Sequence, residues 1–265
     1  IVSLKVPDKN GQLIDIVVGL VTASDYTKKD YLNKNLCLGS SIGRYAGRIS
    51  KGEFRIDGKT YSLHHKNNIH LHGGHEGFDK KNWTIEEVVH GENSHVTMSY
   101  LSKHLEEGYP GNLKVSVTYE LTEENGLKIS YKAITDKVTH VNLTNHSYFN
   151  LNGMDSILNH NLIIKSDQYL DVDSQLIPTG RLLNSKNTRF DFTEKSKIDR
   201  ADFQGFDDTF ILNKSDLRAS LSSKETGIKM DVFTNQPAIV VFTPTIKQFS
   251  GLSFRKGITY SEFPA

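Results

Sequence analysis

The sequence predicts an all-β protein, a large antiparallel β-sandwich or barrel built over residues 1–265 as one domain. Three observations carry that expectation. Apolar residues recur at period two through most of the chain, the intervening turns are of hairpin type, and helical periodicity is almost absent. No fixed repeat and no low-complexity linker marks a second domain.

Leu13 to Val18 reads as the first clear strand. Glu53–Ile56 and Thr60–Leu63 flank Asp57-Gly58, a type I′ hairpin signal. A longer hairpin follows, in which Leu113, Val115, Val117, Tyr119 and Leu121 alternate with polar residues. Glu124-Asn125-Gly126 then turns the chain, and Leu127, Ile129, Tyr131 and Ala133 alternate back. Later strands are expected at Asn161–Lys165, Phe210–Leu212, Ile228–Phe233 and Ala238–Phe242, and one short helix from Glu194 to Ala201 behind a cap at Thr193. Leu20–Lys34, His64–Lys81 and Ser174–Phe192 are too long and polar for simple turns, and in a β scaffold such segments usually carry function.

Composition narrows the partners. Lys plus Arg total 32 against 31 Asp plus Glu, so no net field draws the chain to nucleic acid or to an anionic membrane. The single cysteine, Cys37, excludes an internal disulfide and every multi-cysteine metal motif. No apolar run approaches the roughly 18 residues of a membrane helix, which predicts a soluble protein. Both ends read as cut: Ile1 to Val6 already alternates without an initiating methionine, and Phe263-Pro264-Ala265 stops without a closing element. A cytoplasmic location is the expectation, while a removed leader would leave a periplasmic or secreted one open.

Four clusters depart from plain strand or turn composition. Val141 to Leu151 sets His146 among Asn142, Asn145 and Asn150, with Leu143, Phe149 and Leu151 as anchors. On this stretch alone a catalytic histidine and a hydrogen-bonded core histidine are equally good readings. In Gly39–Ile49 two arginines sit among small residues; Arg44 reads as solvated, whereas Arg48, between Gly47 and Ile49, points to a site. In Asn68–Asp79, His70 and His75 read as surface-loop histidines and His72, held between Leu71 and Gly73-Gly74, as a positioned hydrogen-bonding group. His70, His72 and Glu76 also reproduce the H-x-H-x-x-x-E ligand spacing of metal-binding cupins, but His64 replaces the preceding glycine and no histidine follows Pro178-Thr179-Gly180. Within Phe203–Leu212, Asp207 and Asp208 would point to opposite strand faces, so one of them at most meets a pocket and the other is expected in solvent. No P-loop, Rossmann or G-x-S-x-G pattern occurs.

In this order the motifs resemble the aldose 1-epimerases, or galactose mutarotases: G-R-Y-A-G-R-I at Gly43–Ile49, L-H-G-G with G-F-D-K across Leu71–Lys80, N-L-T-N-H-S-Y-F-N-L at Asn142–Leu151, and G-F-D-D-T-F at Gly205–Phe210. The resemblance implies the large β-sandwich of that family, a galactose mutarotase-like supersandwich, and interconversion of the α and β anomers of free hexoses. It makes His146 the acid for the ring oxygen, as a histidine of ordinary pKa about 6.5 allows. His72 becomes the second histidine, which binds and polarises the sugar, and Arg48 and Asp207 hold sugar hydroxyls. The implied partner is a small monosaccharide and the assembly a monomer or weak homodimer; neither a metal nor an organic cofactor is implied.

Two departures limit the match. The family's glutamate base lies in a G-I-C-L-E-like strand, which Gly257-Ile258-Thr259-Tyr260-Ser261-Glu262 imitates with the glutamate one place late. A one-residue slip turns a strand side chain to the other face. The base is therefore expected beyond Ala265, with Glu262 as the fallback. Val240 stands where relatives often carry glutamine, so a substrate hydrogen bond is missing or supplied by Gln236. The alternatives are a non-catalytic carbohydrate-binding protein on the same fold, a hexose-6-phosphate 1-epimerase using Arg44 and nearby lysines, and a metal-dependent cupin-like enzyme.

Overall fold

Alternating burial along Leu113–Leu121, with Leu113, Val115 and Val117 at most 1% exposed, makes this strand the centre of a sheet packed on one face. A computed structural model of the protein describes residues 1–153, 155–200, 203–255 and 263–265. Its contacts divide the chain into two compact units, Ser40–His146 and the combination of Ile1–Gly39 with Ser147–Ala265.

In the unit formed by Ser40–His146, four antiparallel strands run in the order Leu127–Thr135, Leu113–Leu121, His95–Ser102, Thr84–Val89. Leu113, Val115 and Phe78 form its apolar centre, with Trp83, Tyr100 and Leu143 packed around them. The Asp57-Gly58 turn joins Glu53–Ile56 to Lys59–Ser62, and both turn residues have positive φ (49° and 76°), as a type I′ hairpin requires. Two shorter pairings carry the conspicuous motifs: Arg48–Ser50 with Ile69–Leu71, and Ser41–Ile42 with Thr144–Asn145.

Arg44 does not lie in solvent. It is 2% exposed, and its guanidinium donates to Ser102 Oγ and to the carbonyls of Ser102, Lys103, Pro110 and Gly111 at 2.8–2.9 Å. The physical reason is local. The 102–111 loop turns four carbonyls inward, and buried carbonyls need donors. Burial pulls the Arg44 pKa down, with Glu106 opposing that effect, and the guanidinium keeps its charge because arginine titrates so high.

The second unit holds two four-stranded antiparallel sheets. One runs Ser196–Lys197, Asn161–Ile164, Ala219–Ser222, Lys229–Val232; the other runs Pro178–Asn184, Gln168–Val172, Asp207–Ile211, Ala238–Phe242. Ile164, Phe192, Phe206 and Phe210 belong to one of its apolar cores, and Leu20, Leu38, Tyr148 and Phe249 to another. Tyr148 is tied in by its hydroxyl, which donates to the Leu36 carbonyl at 2.8 Å, and by its own carbonyl, which accepts from Val18 N–H.

One local expectation needs correction. The segment from Thr193 is not helical: Thr193 Oγ1 bonds Asp191 at 2.7 Å instead of capping a helix, and Ser196–Lys197 pairs with Asn161–Leu162. Ile198 is buried, which an extended backbone allows here. The segment Ser174–Phe192 contains a strand, Pro178–Asn184, registered on Gln168–Val172 around an irregularity and an Arg181–Asp171 ion pair. Pro178 and Gly180 punctuate it and mask its pattern. The two α-helical segments among the described residues, Lys29–Leu32 and Ile246–Phe249, are single turns, and no described helix is long and apolar enough to cross a membrane.

Arg44→Met should lower the urea-unfolding free energy by about 3 kcal/mol or more, since several buried carbonyls lose their donors together at roughly 1–3 kcal/mol each. A loss below about 1 kcal/mol would show that water replaces the guanidinium without difficulty.

Candidate active site

The strand Ile69–Leu71 ends in a turn of three consecutive positive-φ residues, His72, Gly73 and Gly74 (52°, 88° and 102°). Glycine is required by space as well as by φ. A Cβ on Gly73 would lie 1.7 Å from the Gly43 carbonyl oxygen, and one on Gly74 would lie 2.0 Å from Glu107 Oε2. His72 itself is fixed by a reciprocal pair: its N–H donates to the Gly47 carbonyl at 3.1 Å, and Gly47 N–H donates to His72 Nδ1 at 3.1 Å.

That second bond decides the tautomer. Nδ1 accepts, so the proton of the neutral ring sits on Nε2, which becomes a hydrogen-bond donor. Burial is the main cause that pulls the His72 pKa down to about 3, and His146, Arg48, Lys80 and His70 add to it. At neutral pH the imidazolium form is then on the order of 10⁻⁴ of the population. His72 can orient and polarise an oxygen but is a poor source of a transferable proton.

His146 follows the Thr144–Asn145 strand, and its N–H donates to the Ser40 carbonyl at 2.9 Å. Its ring stands edge-on to that of His72, with centroids 5.3 Å apart. On the strand next to it, Ser41 Oγ lies 2.7 Å from Tyr119 Oη and 3.1 Å from Tyr131 Oη. Arg48 opens the strand paired with Ile69–Leu71 and stands opposite Leu71, one residue before His72. Three of the four sequence-predicted substrate contacts therefore come together in one unit.

Asp207 belongs to the other unit, at the start of a strand where it faces Phe242 across the ladder. Its N–H donates to Asp208 Oδ2 at 3.1 Å. Asp208 is not the solvated partner expected: its side chain is 15% exposed and lies 3.7 Å from Arg189, and burial raises its carboxyl pKa. Arg189 in turn stacks on Phe190 and donates to the Gly205 carbonyl. Val240 is exposed opposite Thr209, and the Gln236 amide bonds Asn235 Oδ1 at 2.8 Å. Glu262, the fallback base, lies outside the described residues.

His70 is not a surface-loop residue. It is fully buried, with Nδ1 2.7 Å from the His64 carbonyl and Nε2 2.6 Å from Tyr109 Oη. The His64 carbonyl can only accept, so Nδ1 carries the proton of the neutral ring and Nε2 accepts from the Tyr109 hydroxyl, which makes His70 a packed structural group. Both of its nitrogens are used, and Nδ1 of His72 is used too, so the H-x-H-x-x-x-E spacing does not gather a ligand set. No cluster of three potential metal ligands is found among the described residues. Arg44 likewise is not presented to a sugar phosphate, because it is buried with its fork turned onto the 102–111 loop.

The family model for aldose 1-epimerase matches residues 1–262. Galactose mutarotase from Sus scrofa is 39% identical over 253 residues, which cover 92% of this chain and 71% of the pig protein. Aldose 1-epimerase from Haemophilus influenzae is 38% identical, covering 98% of this chain and 77% of its own length. The chain belongs to the aldose 1-epimerase family. Among solved structures, the GalM/aldose epimerase homologue from C. elegans superposes with a TM-score of 0.87 at 28% identity, covering all of this chain and 81% of that one. The galactose 1-epimerase from Lactobacillus acidophilus gives 0.76 at 32% identity over 86% and 68%. The all-β architecture is thus that of galactose mutarotase-like proteins.

One residue beside the His72 turn escaped the sequence. Glu107, 7% exposed, accepts the backbone N–H groups of His75 and Glu76 at 3.0 Å each, directly downstream of His72-Gly73-Gly74. In Glu106-Glu107-Gly108-Tyr109-Pro110-Gly111 the acidic pair reads as a solvated turn, and nothing local distinguishes the buried carboxylate.

The tautomer of His72 is measurable. Ring ¹⁵N NMR should show the Nε2–H form at pH 5, with protonation deferred to about pH 3; an imidazolium at pH 5 would refute the assignment. Linkage gives the same sign in stability. The unfolded chain binds a proton at His72 as pH falls through about 6.5, while the folded chain does so only near 3, so stability is full above that window and is lost on acidification. At pH 5 the penalty is about 1–2 kcal/mol, and His72→Gln should flatten that part of the stability–pH curve.

Proposed function

We propose that this aldose 1-epimerase interconverts the α and β anomers of free hexoses by acid/base ring opening, with residues 1–265 belonging to one mutarotase-like β-sandwich domain. The observation that carries the reading is the edge-on pair of His72 and His146, in which the Gly47 N–H holds the His72 ring as an Nε2–H donor. A glutamate base removes the proton from the anomeric C1 hydroxyl. As the C1 carbonyl forms, the C1–O5 bond breaks and His146 protonates O5. Rotation about C1–C2 presents the opposite aldehyde face. The O5 hydroxyl then adds to C1, returning its proton to His146, while the base returns its own to the new anomeric oxygen.

In this scheme His72 polarises the substrate without giving up a proton, and Arg48 and Asp207 hold hydroxyls. Arg48 offers several donors and Asp207 only acceptors, and either suits a hydroxyl, which both donates and accepts. The base is assigned to a glutamate beyond Ala265, Glu262 being the alternative. Non-catalytic sugar binding on the same fold is the competing reading.

Magnetisation-exchange NMR on α-galactose and α-glucose separates these possibilities. The protein carried past Ala265 should accelerate anomerisation, and His146→Gln should cut kcat about 10²–10⁴-fold with a small change in KM. Folded protein that binds hexose and leaves the anomerisation rate unchanged would establish the binding-only reading. Near-wild-type turnover from a chain ending at Ala265 would move the base to Glu262.

A further inference from the structure

We infer that Glu107 is a positioning residue for His72, acting through the Gly73–Glu76 backbone and not through contact with substrate. The inference rests on the proposed role of His72 and extends it. Two consecutive amide N–H groups, those of His75 and Glu76, converge on the two oxygens of one buried carboxylate at 3.0 Å each. Successive N–H groups aimed at one point form an anion nest, and here the anion is a side chain of the same chain. His64 Nδ1 lies 3.2 Å from Oε2, and His64 N–H donates to the Glu107 carbonyl, so the residue is tied at both its ends.

The clamp works against conformational cost. His72 is a non-glycine residue at positive φ, and such conformations persist only where neighbouring contacts over-determine them. Upstream, the anchor is the reciprocal pair with Gly47; downstream, it is Glu107. Gly74 presses on the carboxylate so closely that no side chain fits between, which leaves the turn little room to rotate while the clamp is closed. Releasing the downstream anchor lets the turn relax toward ordinary φ, and Gly47 N–H then loses His72 Nδ1.

Electrostatics and geometry predict opposite signs, which makes the idea testable. The charges facing the His72 ring are Arg48, Lys80, His146 and His70. Removing a carboxylate charge from the neighbourhood can only lower a histidine pKa further, whereas release of the ring into water raises it. Glu107→Gln keeps the volume but turns one acceptor into a donor facing an N–H. It should move the His72 titration, read by ring ¹⁵N NMR, from about 3 to above 5, and lower kcat/KM for galactose about tenfold. Glu107→Asp keeps both acceptors one methylene short and should fall between Glu107→Gln and wild type on both readouts; it decides the matter if the glutamine variant does not fold. A folded variant of either kind whose His72 still titrates near 3 overturns the inference whatever its activity. If His72 moves but kcat/KM does not, and His72→Gln is also fully active, the positioning stands and the proposed role of His72 falls.

Discussion

Much of what holds His72 in place traces back to one buried guanidinium. Arg44 gathers four carbonyls and a hydroxyl of the 102–111 loop. That loop in turn presents Tyr109 to His70 and Glu107 to the turn after His72. His70 lies in the strand that His72 ends, and the opposite strand begins at Arg48. A cation that touches no substrate therefore shapes the local frame from which one histidine and one arginine project. The reason is a matter of supply: an irregular loop leaves carbonyls unpaired, and arginine is the side chain with enough donors in a rigid fork to serve several at once.

The two histidines illustrate how environment divides labour between like groups. Both lie in the same unit with rings in edge contact, and His72 accepts a backbone N–H on Nδ1 while burial, with Arg48 and Lys80 nearby, keeps it neutral. A neutral donor that cannot ionise stabilises developing charge without competing for the proton being transferred. Backbone geometry at Gly47 thus sets the tautomer of His72, the histidine proposed to polarise the sugar.

The sequence revealed hairpins where turn chemistry is local. Asp57-Gly58 and Glu124-Asn125-Gly126 announce their own φ values or strand ends, and Leu113–Leu121 announces its buried face. Thr84–Val89 escaped because an irregularity between Ile85 and Glu87 breaks the period-two pattern. The site was legible to a similar depth. Arg48, His72 and His146 stand out because glycines and asparagines crowd round them. The roles of Arg44, His70 and Glu107 did not stand out, since their partners lie roughly 30–70 positions away and no local pattern encodes them. Asp208 was misplaced for a related reason: strand alternation says which way a side chain points, but not that Arg189 waits there.

The way Arg44 is bonded has a further consequence, for behaviour in brine. Its hydrogen-bonding partners are carbonyls and a hydroxyl, shielded from the counter-ions that weaken exposed pairs such as Lys128–Glu120 or Arg181–Asp171. Rising ionic strength dissolves the decoration of this molecule before it reaches the scaffold under His72. The Arg44 cluster is in that sense indifferent to ionic strength, held by dipoles in a dry interior.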